Sequence, residues 1–138
     1  MQPIKTLQIL GETLDILVDG TMTGGSSTTL VQTTPPGGGP PPHSHSREDE
    51  TFTVLEGDFE ILAQGQWRKL PVGEICFAPR GSVHTFRNVG TTTGKIAVFI
   101  SPAGIEKFFE ELAGLNVPGD IPRILETFSR YGLALHTS

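Results

Sequence analysis

Three histidines and one glutamate stand at spacings that suit a single metal ion. His43 and His45 are two residues apart, Glu50 follows after a polar run, and His84 lies in a second stretch. Alternate side chains of an extended strand point to the same face, so both imidazoles of the first pair can reach one ion. Three nitrogens and a carboxylate favour a first-row transition metal over Mg²⁺ or Ca²⁺. These residue types predict a metal site, but alone they leave a chance cluster of histidines equally open.

The position of Glu50 requires a break in the strand. Glu50 is five residues past His45, which is the wrong parity for one unbroken strand. We therefore expect the intervening Ser-Arg-Glu-Asp run to kink or bulge and bring the carboxylate to the ion. After this kink Phe52 shares the inward face with Glu50, and in the second stretch Phe86 shares a face with His84. Phe52 and Phe86 are thus the predicted substrate-binding lining beside the ion.

The elements that must position these side chains are short strands joined by turns. Among 138 residues, 17 Gly and 11 Pro accompany many β-branched residues, a composition typical of a strand-rich domain. The predicted strands are 4–10, 14–18, 27–35, 51–55, 59–63, 66–70, 74–78, 83–87 and 95–101. The Pro-Gly run 35–42 has the composition of a linker. Too little chain precedes it for a separate domain, so we expect a stiff segment that aims His43 and His45.

The C-terminal part, about residues 104–132, has a helical pattern instead. Apolar residues fall at i, i+3, i+4 and i+7 from Ile105, and again from Ile121. Asp120 is the predicted cap of the second helix, Pro122 suits its first turn and Gly132 its end. We expect the two helices to cover an outer face of the barrel or to assist dimer formation, rather than to form a substrate lid.

Charge and composition exclude several classes of protein. The net charge is -5 and no cluster of Lys and Arg is visible, which argues against a nucleic-acid partner. No apolar run is long enough to cross a membrane, and the first residues do not have the pattern of a signal peptide. A single cysteine, Cys76, excludes an intrachain disulfide. We therefore expect one cytoplasmic domain over residues 1–138, with the barrel at about 4–101.

The two stretches resemble the paired motifs of the cupin superfamily. The first motif, G-x5-H-x-H-x3-4-E-x6-G, is met at every fixed position, with the longer spacing before its glutamate. The second motif, G-x5-P-x-G-x2-H-x3-N, is also met in full. The matching residues are Gly37, His43, His45, Glu50, Gly57, Gly73, Pro79, Gly81, His84 and Asn88. No departure from either motif places a ligand in doubt.

The resemblance implies an all-β fold, a double-stranded β-helix or jelly-roll barrel, to which this chain adds two C-terminal helices. It also implies a homodimer and one divalent transition metal per chain, held by His43, His45, Glu50 and His84. Fe is the commonest catalytic ion of the family, and Mn, Ni, Co, Cu and Zn also occur. The run from Ser46 to Phe52 looks most like single-domain cupins described as quercetin-dioxygenase-like.

The expected activity is that of a metal-dependent dioxygenase-like oxidoreductase. The ion would bind an enol, phenol or dicarbonyl substrate, and Glu50 would be a ligand that also accepts a substrate proton. A six-coordinate ion held from one side leaves two positions for ligands, whereas four protein ligands fill a tetrahedral, structural site; we favour the open site. The alternatives are a metal-assisted isomerase or lyase, and a non-catalytic module that binds a sugar or another small molecule.

Four other features have plainer interpretations. Cys76 lies within a strand and is expected to be a small buried side chain. Trp67 is expected to pack on a strand rather than to bind substrate. His136 is expected to be solvated, and the run 47–49 is expected to be a solvated bend at the rim of the barrel.

Overall fold

The computed structural model describes residues 2–136. Eleven strands and three helices are present in this range. The strands, in chain order, are β1 (Lys5–Ile9), β2 (Glu12–Val18), β3 (Thr28–Thr34), β4 (His43–His45), β5 (Asp49–Glu56), β6 (Phe59–Ala63), β7 (Gln66–Leu70), β8 (Ile75–Ala78), β9 (His84–Asn88), β10 (Gly94–Ser101) and β11 (Leu133–Leu135). The helices are α1 (Gly20–Thr23), α2 (Ile105–Leu112) and α3 (Ile121–Arg130).

The strands form two antiparallel sheets. The six-stranded sheet has the order β1-β2-β3-β10-β5-β8, and the five-stranded sheet has the order β11-β4-β9-β6-β7. Non-consecutive strands lie side by side in both sheets, as β10 does between β3 and β5, which is the pattern of a jelly roll. The predicted all-β double-stranded β-helix with C-terminal helices is therefore confirmed.

The core lies between the inner faces of the two sheets. One row of the larger sheet pairs Leu30 with Val98, Val98 with Phe52, and Phe52 with Cys76. All four side chains are buried, as predicted for Cys76. Phe59, Ile61, Leu70 and Phe86 of the smaller sheet belong to the same cluster. Burial of each large apolar side chain contributes roughly 1.5–3 kcal/mol, so this alternation of buried and exposed residues fixes which side chains face inward.

The Pro-Gly run forms a strap that lies along the edge of β9 next to β4. Gly37 donates from its backbone to the carbonyl of Asn88, and the backbone of Asn88 donates to Gly38. Thr85 donates its hydroxyl to the carbonyl of Pro40, which explains why an outward-facing strand residue is buried. These contacts hold the segment that leads directly into His43, in agreement with a stiff lead-in rather than a linker.

Three local features differ from the sequence-based expectations. The loop after β2 contains the short helix α1, whose first turn is capped by the carboxylate of Asp19. Strand β11 follows α3 and pairs with β4. The sequence did not predict this strand, because three residues are too few to show an alternating pattern. Asp120 is the N-cap residue of α3 as predicted, but its carboxylate accepts from the backbone of Asn116 rather than from the first turn of the helix.

Within residues 2–136 the structure contains no helix with the length and apolarity needed to span a lipid bilayer.

Candidate metal centre

The four candidate residues come from both sheets. His43 and His45 lie on β4, and His84 lies on the neighbouring strand β9, directly opposite His43 in the register. Glu50 lies on β5 of the facing sheet. The predicted kink after His45 is therefore a crossing of the chain from one sheet to the other, which explains the broken parity. The site lies between the sheets, and one donor atom from each residue falls within 4.8 Å of the others.

Each imidazole is held by an acceptor at its Nδ1 atom. His43 Nδ1 lies 2.8 Å from the carbonyl oxygen of Pro41, and His84 Nδ1 lies 3.2 Å from that of Ser82. His45 Nδ1 lies 3.3 Å from the carboxylate of Glu48. These three acceptors place the ring proton on Nδ1 and leave each Nε2 with a free electron pair. The same arrangement orients histidine ligands in metal sites.

The Nε2 atoms converge on Glu50. The Oε2 atom of Glu50 lies 2.5 Å from His84 Nε2 and 3.3 Å from His45 Nε2. His45 Nε2 is buried and makes no hydrogen bond to any residue in the range 2–136. Several electron-pair donors at such short separations repel one another unless a cation lies between them. The residues therefore fit a metal ion, and their nitrogen and oxygen donors suit a divalent transition metal.

The local electrostatics keep the carboxylate ionised. Burial raises the pKa of Glu50, but its close contact with His84 and the nearby imidazoles of His45 and His43 outweigh burial and hold the pKa below its usual value. Loss of hydration lowers the pKa of His43 to about 4, with the neighbouring His84 acting in the same direction. His45 differs, because its contacts with Glu48 and Glu50 outweigh burial and raise its pKa.

Glu48 was wrongly assigned to a solvated bend. Its side chain is 7% exposed and contacts the ring of His45, whereas Arg47 is exposed and Asp49 binds Arg80 at the surface. The turn between the sheets rotates Glu48 inward. An acid placed three residues after a ligand histidine was the only signal in the sequence, and it did not stand out within a run of charged residues.

A cavity of about 450 Å³ opens beside the four residues. Phe52 and Phe86 line it as predicted, and the ring of Phe52 lies 5.4 Å from that of His84. Most of the remaining lining is apolar. Trp67 and Cys76 do not line the cavity, and His136 is exposed, as expected for all three.

The C-terminal helices also reach this cavity. Phe108, Phe109 and Leu112 of α2 and Phe128 of α3 line it together with His43, His45 and Glu50. Phe108 packs edge-on against Phe128 with ring centroids 5.1 Å apart. The helices were expected to cover an outer face of the barrel or to assist a dimer; their apolar sides also form part of the wall of the cavity.

Comparison with protein families agrees with this architecture. The family described as "Cupin domain" matches residues 30–100, more than half of the chain and the part that contains the four candidate ligands. The chain belongs to the cupin family. A relative from Aquifex aeolicus (strain VF5), described as an uncharacterized protein, is 41% identical over 57 residues. This match spans 41% of the present cupin and 47% of the relative, less than half of either chain.

Solved structures similar to this cupin have varied descriptions. KdgF from Halomonas sp. has a TM-score of 0.67 at 20% identity, covering 75% of this chain and 90% of that one. A predicted oxalate decarboxylase from Thermotoga maritima has a TM-score of 0.64 at 20% identity, covering 74% and 93%. The polyketide cyclase RemF from Streptomyces resistomycificus has a TM-score of 0.60 at 26% identity, covering 70% and 72%. The first two show the shared fold alone, since a common fold supports many different activities.

Proposed function

We propose that this cupin is a metal-dependent enzyme that acts on a small, largely apolar molecule containing an enol, phenol or dicarbonyl group. In this proposal His43, His45, Glu50 and His84 bind one divalent transition metal, with iron as the first choice. The observation that carries the proposal is the position of the cluster on the wall of a cavity of about 450 Å³. Structural metal sites are closed, whereas a catalytic site leaves room for substrate.

The proposed reaction is incorporation of both atoms of dioxygen into the bound substrate. A bound metal would polarise the chelated oxygen atoms and, where redox-active, activate dioxygen. The protein would contribute a dry, apolar cavity and the rings of Phe52 and Phe86 against a planar substrate. Glu50 is buried and ionised, and would accept the proton that an enol or phenol loses on binding.

The lining of the cavity argues against small acidic or sugar ligands. Among the described residues that line it there is no Lys or Arg, and the polar side chains are few. A dianion such as oxalate would therefore have only the metal as a cationic partner. A sugar would leave most of its hydroxyl groups without hydrogen-bond partners, which costs binding free energy.

A second candidate function is metal-assisted cyclisation or isomerisation without a change of redox state. It is favoured by the likeness to the polyketide cyclase RemF, which is 26% identical over 70% of this chain. The same ligands would serve, because a polarised carbonyl and a proton acceptor are sufficient for that chemistry.

Oxygen uptake separates the two candidates. Protein purified without oxygen would be loaded with Fe(II), Mn(II), Ni(II) or Zn(II) and mixed with a flavonol or a β-diketone. We expect uptake with a redox-active metal and none with Zn(II). Undiminished conversion with Zn(II) and no uptake would select the second candidate. The homodimer and the cytoplasmic location stay predictions, and sedimentation would test the first.

A further inference from the structure

A carboxylate lies at the end of the cavity that is remote from the metal cluster. Glu12 begins β2 and shares its inward face with Leu14 and Ile16, both 2% exposed. Its Oε1 atom accepts from Gln32 Nε2 at 2.8 Å and from Thr34 Oγ1 at 2.6 Å. Its Oε2 atom makes no hydrogen bond to any side chain of residues 2–136. The carboxylate is therefore fixed by one oxygen, and the other is available to a ligand.

The sheet register gives the approximate separation of the backbone positions at the two ends of the cavity. Glu50 pairs with Ile100, and Ile100 pairs with Thr28, so these three residues form one row. Gln32, the partner of Glu12, is four residues further along β3, or about 13 Å at the rise of a strand. Two strand spacings add about 10 Å sideways. The backbone positions of Gln32 and Glu50 are thus about 16 Å apart, a separation that suits a ligand longer than a single ring.

The wall between the two ends is apolar. Leu14, Leu30, Val98, Phe52 and Phe86 line the barrel side, and the helices add the rings described above. Both ends of the cavity carry a carboxylate, Glu12 at one and Glu50 at the other. A ligand group that donates a hydrogen bond suits the Glu12 end, whereas a negatively charged group there would be repelled.

We propose that the ligand is an elongated, flat, mostly apolar molecule of two or three rings. One end carries the pair of oxygen atoms that chelates the metal, and the other carries a hydroxyl that donates to Glu12 Oε2. Glu12 is then a specificity-determining residue, positioned by Gln32 and Thr34. The chelating oxygen atoms of the ligand rest on the proposed function. The hydroxyl at the other end is inferred from the position of Glu12 in the cavity.

Binding of three flavonols under anaerobic conditions tests this proposal. The probes are 3-hydroxyflavone, which has no hydroxyl remote from its chelating oxygens, and its 4′-hydroxy and 7-hydroxy derivatives. Titration of the Zn(II)-loaded protein by calorimetry gives each affinity without turnover. We expect at least one derivative to bind about tenfold more tightly than 3-hydroxyflavone, the size of one hydrogen bond to a charged group.

Two variants and one control assign the preference to Glu12. Glu12→Gln keeps an acceptor for Thr34. It should reduce the affinity advantage of the hydroxylated derivative over 3-hydroxyflavone to less than about threefold. Gly38→Ala is the second variant, because its Cβ would lie 2.7 Å from Glu12 Oε2 and displace that oxygen while keeping the charge. Asp15→Asn is the matched control, since Asp15 lies on the outward face of the same strand and should leave the preference unchanged.

The outcomes distinguish this inference from the proposed function. An unchanged preference in folded Glu12→Gln protein, or failure of all three probes to bind the wild type, would overturn the inference. Oxygen uptake that is independent of Glu12 would also count against it and leave the proposed function intact. A preference that depends on Glu12, without any oxygen uptake, would support the inference and contradict only the oxidative reaction.

Discussion

His45 and Glu48 form a buried pair in which Nδ1 of the imidazole lies 3.3 Å from a carboxylate oxygen, with side chains 3% and 7% exposed. This contact orients the ring and makes its Nε2 a stronger electron-pair donor. It is the one charged partner among the three acceptors that hold the histidine rings.

Removal of this carboxylate should weaken metal binding. We expect Glu48→Leu to lower the affinity for Zn(II) or Fe(II) by about 10–100-fold, the usual effect of losing such a partner. Competition with a chelator at pH 7.5 or above would measure it. Asp49→Asn, which changes the neighbouring acid paired with Arg80 at the surface, is the control and should retain the wild-type affinity. Equal affinities for the wild type and Glu48→Leu would show that Glu48 does not support the site.

Loss of a candidate ligand should remove the metal. We expect His84→Ala to contain less than about a tenth of an ion per chain, because three ligands bind far more weakly than four. This change also leaves Glu50 buried without its nearest partner, at a cost of about 3–5 kcal/mol. His43→Ala is a second variant that should destabilise the fold less, because His43 is partly exposed.

Elemental analysis of both proteins, with His136→Ala as control, would make the comparison. Wild-type metal content in folded His84→Ala protein would refute the ligand set.

The candidate ligand cluster and the barrel could be predicted because the spacing of the two stretches resembles the cupin motifs; the residue types alone left a chance cluster of histidines open. Alternation along β5 places Glu50 and Phe52 inward. Position along the chain is enough to predict such features. The predicted kink after His45 corresponds to the crossing of the chain between the two sheets, which brings Glu50 to the three histidines.

The features that were missed depend on how distant parts of the chain pack. The spacing from Ile105 and Ile121 predicts an apolar helical face, but not that the face meets the cavity that contains His43. Similarly, Glu12 lies between the predicted strands 4–10 and 14–18, and only the packing of β2 against β3 brings its carboxylate to Gln32 and Thr34. Charged residues near turns are usually solvated, so sequence alone favours the wrong environment for both Glu12 and Glu48.

Metal affinity should fall with decreasing pH, beginning above the ordinary pKa of histidine. The metal binds the unprotonated imidazole, and Glu48 and Glu50 raise the pKa of His45 above 6.5, so protons compete first at this residue. His43, with a pKa of about 4, does not compete above pH 5. Chelator competition from pH 8 to pH 5 would show the decline. Glu48→Leu should move this fall in metal affinity to lower pH. An unchanged pH profile in that variant would exclude His45 as the residue at which protons compete with the metal.

The stability of the metal-free protein should fall with rising pH over part of this range, whereas the metal affinity rises. A raised pKa of His45 stabilises the folded state below pH 6.5, and this contribution is lost as the pH rises through the folded value. The lowered pKa of Glu50 stabilises the folded state above pH 4.5 and is lost on acidification. The pKa of His43 is about 4 in the folded protein, so the unfolded state takes up a proton at this residue first and stability also falls as the pH drops below 6.5. Urea unfolding of the metal-free protein should therefore give its highest stability near pH 6.5. A monotonic rise in stability from pH 5 to pH 8 would contradict the assignment of His45.

The strap should tolerate a side chain at Gly37 but not at Gly39. Both glycines have positive φ, 78° and 140°, which costs an alanine about 1–2 kcal/mol in the left-handed region and more outside it. A Cβ at Gly37 meets nothing within 4 Å, whereas at Gly39 it would collide with the backbone carbonyl of Phe86. We expect Gly37→Ala to lower the free energy of unfolding by about 1–2 kcal/mol and Gly39→Ala by more than about 3 kcal/mol.

Urea unfolding and metal content, measured on both variants, would test this difference. Because the strap leads into His43, Gly39→Ala should also retain less metal than Gly37→Ala. Equal losses of stability would mean that the strap does not lie against β9 as described.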